Sequence, residues 1–259
     1  MRYSAISVAD MIEVDRLMVD VFDVALLQMM ENAGRNLAAM GRHMLGGNAA
    51  GQKVVVLAGK GNNGGGGLAA ARHLANAGAE VSVALAASPS DLGKAPEAQL
   101  RTLAQMGIHE VELPFAAAEL QHHLADADLI LDALIGYRLR GVPREPVEGF
   151  IRAANAASAP VLSLDIPSGL DGDRGLPFEP TARAKATLTL AWPKAGLLGS
   201  AAQPFVGQLY LSDIGVPAAV YRAVGVEPGA IFSRGPIVQV RGVEDGWEPV
   251  SVLEESDAS

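Results

Sequence analysis

The chain has 259 residues, 49% of them hydrophobic, with 20 basic and 29 acidic side chains and a formal net charge of -9; it is long enough to bury a full core in one large α/β domain. The acidic balance argues against nucleic acid as a partner, because phosphate backbones are held by clustered Lys and Arg. With no cysteine anywhere, disulfides, thiolate metal sites and a cysteine nucleophile are excluded.

Carboxylates occur within the first fifteen residues, where a signal peptide needs a continuous apolar run, and no later run reaches the ~18 apolar residues of a membrane span. The expectation is a soluble, cytoplasmic protein. Ser7 with Asp10 forms a helix-start signature ahead of Met11, Ile12, Val14, Leu17, Met18 and Val21 at helical spacing. A second helical pattern runs from about residue 25 to 45, its apolar side carrying Leu26, Leu27, Met29, Met30, Ala33, Leu37 and Met40. Methionines in such stripes read as core filler.

From Lys53 onward, β-branched runs alternate with helical segments: KVVVLAG, a helix from about Gly67, EVSVALA, a helix near 95–106, VEL, a helix near 116–124, LILDAL, a helix over 147–157, and PVLSLDI. ATLTLAW and GQLYLSD follow, with loops or short turns between them. Alternation of this kind builds parallel βαβ units, and runs without polar alternation are covered on both faces. The expected fold is a three-layer α/β/α, Rossmann-like, doubly wound and mostly parallel sheet with two extra N-terminal helices and a strand extension at the C-terminal edge. Beyond Arg241 the chain collects acids and no Lys or Arg. Residues 1–241 are therefore expected to form one domain and 242–259 an acidic, mobile tail.

In such a sheet, ligands bind outside the carboxyl ends of the strands, near the point where strand order reverses. That edge selects three loops: Gly59 to Gly67 after KVVVLA, Asp132 with ALIGYRLRGVPREP after LIL, and Asp165 with Pro167, Ser168, Gly169 and Asp171 after VLSL. GKGNNG satisfies G-x-G-x-x-G, yet EVSVALAAS ends without the acid that holds a ribose in the usual dinucleotide site, which disfavours a standard NAD dehydrogenase. A Walker A loop fails because Lys60 is followed by Gly61. Glycine-bared amides at a helix start suit an anion, and a plain turn explains the loop equally well. Asn62, Asn63, Asp132, Asp165 and Ser168 on one edge make an oxygen-rich set, better matched to a monovalent cation than to Zn²⁺. Asp132 and Asp165 also read as capping or satisfied buried acids. His43, His73, His109, His122 and His123 fall away from this edge, so a histidine-based triad or metal site is not expected. Arg138, Arg140, Arg144 and Lys194 read equally as phosphate contacts or solvated loop residues.

In chain order, MMENAGR at 29–35, AGKGNNGGGGL at 58–68, DALIG at 132–136, DIPSGLDGDRG at 165–175 and PKAGLL at 193–198 resemble the NAD(P)H-hydrate epimerase family, or YjeF N-terminal domain family, over about residues 8–220. The resemblance implies a Rossmann-like domain, commonly dimeric, that interconverts the R and S forms of NADHX and NADPHX, nicotinamide cofactors damaged by hydration. A separate NAD(P)H-hydrate dehydratase repairs the S form. By position, it implies substrate contacts from Asn62, Asn63, Gly64, Gly65 and Gly66, from Gly136, Tyr137, Arg138, Leu139, Arg140, Gly141 and Val142, and from Asp165 and Lys194. It implies a potassium ion held by Asn63, Asp132 and Ser168, with Asp165 as the general acid or base at the C6 hydroxyl centre.

The family's loop reads Asn-Asn-Gly-Gly-Asp-Gly, and this chain has Gly66 in place of the aspartate. The fold is expected to tolerate this at under ~1 kcal/mol, whereas loss of a participating acid removes ~10²- to 10⁴-fold in rate. The alternative is a catalytically silent nucleotide-binding or scaffold domain of the same fold.

Overall fold

The computed structural model describes residues 2–108, 110–111 and 117–253. Helix α1 (Val8–Asp20) starts on a reciprocal capping box between Ser7 and Asp10 and buries Met11, Val14 and Met18, spaced three and four apart. Helix α2 (Leu26–Met44) follows. The strands and helices then alternate as the sequence leads one to expect: β1 (Lys53–Ala58), α3 (Asn62–Asn76), β2 (Glu80–Leu85), α4 (Lys94–Gln105), β3 (Glu110–Val111), α5 (Ala117–Ala125), β4 (Leu129–Ala133), α6 (Val147–Ala156) and β5 (Val161–Leu164). Then come β6 (Ala186–Leu190), α7 (Gln203–Val206), β7 (Gln208–Ser212), α8 (Ala218–Ala223), β8 (Ile237–Val243) and β9 (Gly246–Val252).

Among the described residues these strands form one sheet in the order β3-β2-β1-β4-β5-β6-β7-β8-β9. Strands β1 to β7 are parallel, and β8 and β9 add an antiparallel edge. Alternate residues of β1 explain the three layers. Val54, Val56 and Ala58 pack with Leu37, Leu68 and Leu74 of α2 and α3, while Val55 and Leu57 pack with Leu124 of α5 and Phe150 and Ile151 of α6. The expected three-layer, doubly wound sheet with two N-terminal helices is the observed fold.

Two expectations need correction. Helix α3 begins at Asn62, five residues ahead of Gly67, so the glycine run lies inside a helix rather than in a loop. Residues 242–253 are not a mobile tail. They complete the β8–β9 hairpin, and Trp247 is fully buried, stacked on Tyr3 and edge-on to Trp192. The gain from burying an indole outweighs the acidic composition. Residues 254–259, His109 and the expected strand and helix ends at 112–116 lie outside the described residues. Among the described residues, no helix is long and apolar enough to cross a membrane.

Candidate active site

Strand order reverses between β1 and β4, and the three loops chosen from sequence open together at that edge around a cleft of about 740 Å³. Its walls come from Gly59 to Asn63, Gly136 to Arg138, Asp165 and Lys194, with Met11 and Asp15 of α1, Met29 and Met30 of α2, and Ala86 to Ser88 after β2.

The glycine wall is defined by what cannot fit. A Cβ on Gly59 would stand 1.9 Å from the Leu134 carbonyl oxygen, and one on Gly64 would stand 1.8 Å from the Gly59 carbonyl oxygen. A Cβ on Gly65 would lie 2.5 Å from Met30 Cε, and one on Gly67 would lie 2.5 Å from Ala133 Cβ. These glycines seat the start of α3 against β1, β4 and α2, overriding the poor helix propensity of four consecutive glycines. They also leave the first amides of α3 at the cleft, where a helix start favours an anion. Gly66 differs: its nearest obstacle is Leu164 Cδ2 at 2.8 Å, it is buried in α3, and it borders the cleft.

Behind this wall, Asp132 is 1% exposed. Its carboxylate accepts from Ser163 Oγ at 2.7 Å, from the Ser168 amide at 2.9 Å and from Ser168 Oγ at 2.6 Å. Burial pushes the Asp132 carboxyl above the usual aspartate range, with the Ser168 and Ser163 bonds pulling the other way. Every one of these partners is neutral. Ser168 Oγ also accepts from the Ile135 amide at 2.9 Å, which ties the β5 and β4 loops together. Asn63 comes from the opposite side: a Cβ on Gly136 would lie 3.1 Å from Asn63 Oδ1 and 3.0 Å from Asp165 Oδ2, so both oxygens crowd one backbone position. Asn63 Nδ2 is buried without a hydrogen-bond partner among the described residues.

Asp165 sits at φ 69° just past β5, in the left-handed region that aspartate tolerates better than most residues. One carboxylate oxygen accepts from Lys194 Nζ at 2.5 Å and the other from the Tyr137 amide at 3.1 Å. Lys194 is fully buried, and its ammonium also bonds the Leu190 carbonyl at 2.8 Å and Thr189 Oγ1 at 3.3 Å. Its three donors are thereby used. The backbone around Lys194 is pinned by the N-terminal segment: the Ile6 amide bonds the Pro193 carbonyl, and the Ala195 amide bonds the Ile6 carbonyl.

The residues chosen from sequence therefore divide. Asn62, Asn63, Gly66, Gly136, Tyr137, Arg138, Asp165 and Lys194 line the cleft. Gly64 and Gly65 do not, because they are spent on packing. Leu139, Arg140, Gly141 and Val142 do not line it, and Val142 is exposed. Asp132 and Ser168 lie beneath the cleft, bonded to each other. Lys194 is no solvated loop residue; it is the counter-ion of Asp165.

Sequence reasoning missed Asp15 and the placement of Met11, Met29 and Met30, which are core residues and also cleft wall. It also missed Asp91. The turn Pro89–Asp91 brings an acid to the β2 end of the cleft that the strand end itself lacks. His73, far from the chemistry, pairs with Glu31 at 2.7 Å and joins α3 to α2. Among the described residues, no group of three or more His, Cys, Asp or Glu side chains could hold a metal ion.

A family model described as YjeF-related protein N-terminus matches residues 26–196. An NAD(P)H-hydrate epimerase of Dehalogenimonas lykanthroporepellens is 45% identical over 86% of each chain. One from Rhodopirellula baltica is 36% identical over 83% of this chain and 85% of that one. A bifunctional NAD(P)H-hydrate repair enzyme of Moorella thermoacetica is 36% identical over 82% of this chain, which spans 40% of that longer protein. The crystal structure of yeast ynu0 has a TM-score of 0.77 at 23% identity, covering 91% of this chain and 99% of that one, a likeness of fold.

Proposed function

Because the chain belongs to the YjeF-related N-terminal family, we propose that it is an NAD(P)H-hydrate epimerase, an isomerase that interconverts the R and S forms of NADHX and NADPHX. The observation that carries this reading is the match to a 45% identical epimerase over 86% of both chains, and the cleft supplies what the reaction asks for. Read by the usual doubly wound geometry, the pyrophosphate lies at the start of α3, the adenosine half toward Ala86 to Asp91, and the hydrated nicotinamide over Asp165.

The reacting carbon, C6, bears a hydroxyl and the ring nitrogen. Protonation of that hydroxyl lets the nitrogen lone pair expel it as water, leaving a planar iminium. Water then returns to the other face and gives up one proton, so that nothing is oxidised or reduced. On this reading Asp165 carries that proton, worth ~10²- to 10⁴-fold. Lys194, its donors occupied, holds Asp165 and is not itself the acid.

Asn63, Asp132 and Ser168 fit a potassium ion. They offer hard oxygens with one negative charge, and the buried Asp132 has only neutral partners among the described residues. A bound potassium ion would neutralise Asp132 and fix the asparagine and aspartate loops rather than activate water. The enzyme is proposed to act in the cytoplasm as a homodimer, with a separate NAD(P)H-hydrate dehydratase. That activity is suggested by the bifunctional relatives, which are more than twice as long as their match to this chain.

The test is equilibration of R- and S-NADPHX by the purified chain with potassium present. A rate no faster than the spontaneous one sinks the reading. Gly66 is the specific observation favouring a silent binding domain, because it borders the cleft where the family carries an acid. Gly66→Asp decides between the two. A large gain in rate marks an impaired enzyme, and retained nucleotide binding without activity in either form marks the binding domain.

A further inference from the structure

The segment between β4 and α6, residues 134–146, has no helix or strand of its own, yet its first residues must hold Asp165 and face the substrate. Three of its anchors lie in the stretch beside Asp165. The Ile135 amide bonds Ser168 Oγ at 2.9 Å, the Tyr137 amide bonds Asp165 Oδ2 at 3.1 Å, and the Leu139 amide closes a turn on the Gly136 carbonyl at 3.2 Å. A further tie leaves the loop altogether. The Tyr137 hydroxyl donates to Asp15 Oδ2 on α1, a residue 122 positions earlier in the chain. Arg138 closes the cluster, its Nε 3.2 Å from the Tyr137 hydroxyl and its Nη2 3.7 Å from Asp15. Two cations lie near the Tyr137 ring, Arg138 Cζ 5.5 Å and Lys194 Nζ 5.9 Å from its centroid. Asp15 itself lines the cleft.

We infer that Asp15 is a positioning residue: by holding the Tyr137 hydroxyl it fixes the amide and ring that set the Asp165–Lys194 pair. This rests on the epimerase reading for its kinetic consequence, though not for its structural one. The physical reason is leverage. The Tyr137 amide bonds Asp165, and the Gly136 backbone lies against Asn63 and Asp165, so a small tilt of the loop moves both polar groups, and a misplacement of ~1 Å costs up to ~10²-fold in rate. Without Asp15, the Tyr137 hydroxyl keeps Arg138, which can only donate, and the tyrosine loses its acceptor.

The experiment compares Asp15→Ala, Asp15→Asn, Tyr137→Phe and Asp15→Ala/Tyr137→Phe with wild type in the R/S-NADPHX assay. Expected is a ~10- to 100-fold fall in kcat for Asp15→Ala and Tyr137→Phe with KM within about threefold. The double variant should be no worse than either single one, because both remove the same tie. Asp15→Asn, which keeps an acceptor, should recover part of the loss. Wild-type kcat in Asp15→Ala, or losses that multiply in the double variant, overturns the inference. Carbon NMR of ¹³Cγ-labelled aspartates, with Asp165→Asn to assign the resonance, supplies a readout that needs no turnover. The Asp165 signal moves in Asp15→Ala and Tyr137→Phe if Asp15 sets it, and an unmoved signal overturns the inference. If wild type fails to accelerate epimerisation, the functional reading falls and the NMR result still decides the role of Asp15.

Discussion

The two walls of the cleft are built by opposite means. The start of α3 is shaped by missing side chains: Gly59, Gly64, Gly65 and Gly67 let backbone and methyl groups meet at distances no Cβ allows. The opposite floor is shaped by buried polar groups, with Asp132 held by two serines and Asp165 held by Lys194. The glycine wall fixes where backbone amides stand; the polar floor fixes where charge stands. A substitution on the first side acts through volume, and one on the second through unpaired charge.

The largest effect should come from the floor. Lys194→Met leaves the Asp165 carboxylate buried without its cation, and removal of one partner of a buried pair typically costs ~3–5 kcal/mol. Chemical denaturation should show that loss, and epimerisation should fall with it. The matching break in the wall is Gly64→Ala, whose methyl would press on the Gly59 carbonyl. Overpacking of this kind costs ~1–3 kcal/mol or more, read in the same denaturation experiment. Near-wild-type stability in that variant would mean that the start of α3 yields easily, and the contrast between the walls would dissolve.

The third prediction concerns pH. Burial raises the folded-state Asp132 carboxyl above its ordinary value, so the folded protein holds that proton more tightly than the unfolded chain does. The stability that this preference contributes is full below the ordinary aspartate value near ~4 and is lost as pH rises through the raised one. The stability of wild type relative to Asp132→Asn should therefore fall as pH rises from ~4 toward neutrality. Added potassium should blunt the fall if the ion binds there, which denaturation midpoints with potassium and with sodium would reveal. The smallest effect belongs to Gly66→Ala. Its obstacle is the end of one leucine side chain, and alanine is the better helix former by ~1 kcal/mol, so stability should stay within about 1 kcal/mol of wild type.

Much of this architecture was legible in advance. The alternation of β-branched runs and helical patterns gave the parallel sheet, and the rule about strand ends brought Asn63, Asp132, Asp165 and Ser168 to one edge. The glycine helix was not legible, because GNNGGGG has a loop's propensities and becomes helical only through its seat against β1, β4 and α2. The role of Lys194 was ambiguous for a similar reason: only the fold shows that Leu190, Thr189 and Asp165 surround it. The Asp15–Tyr137 tie spans 122 residues with no periodic signal to link them. In the last strand, acidic composition masked GWEPVSV, where the tryptophan carries more weight than the acids around it.

That tryptophan has an optical consequence. The chain holds two tryptophans, and Trp192 and Trp247 lie in one cluster, ring centroids 5.1 Å apart, with both indole nitrogens donating to the Ser4 carbonyl. Trp192 is two residues from Lys194. Tryptophan fluorescence therefore reports on the seam where the N-terminal segment meets the last strand beside the charged floor, and is blind to the glycine wall. An emission change that precedes the loss of circular dichroism would show that seam opening while α3 still holds.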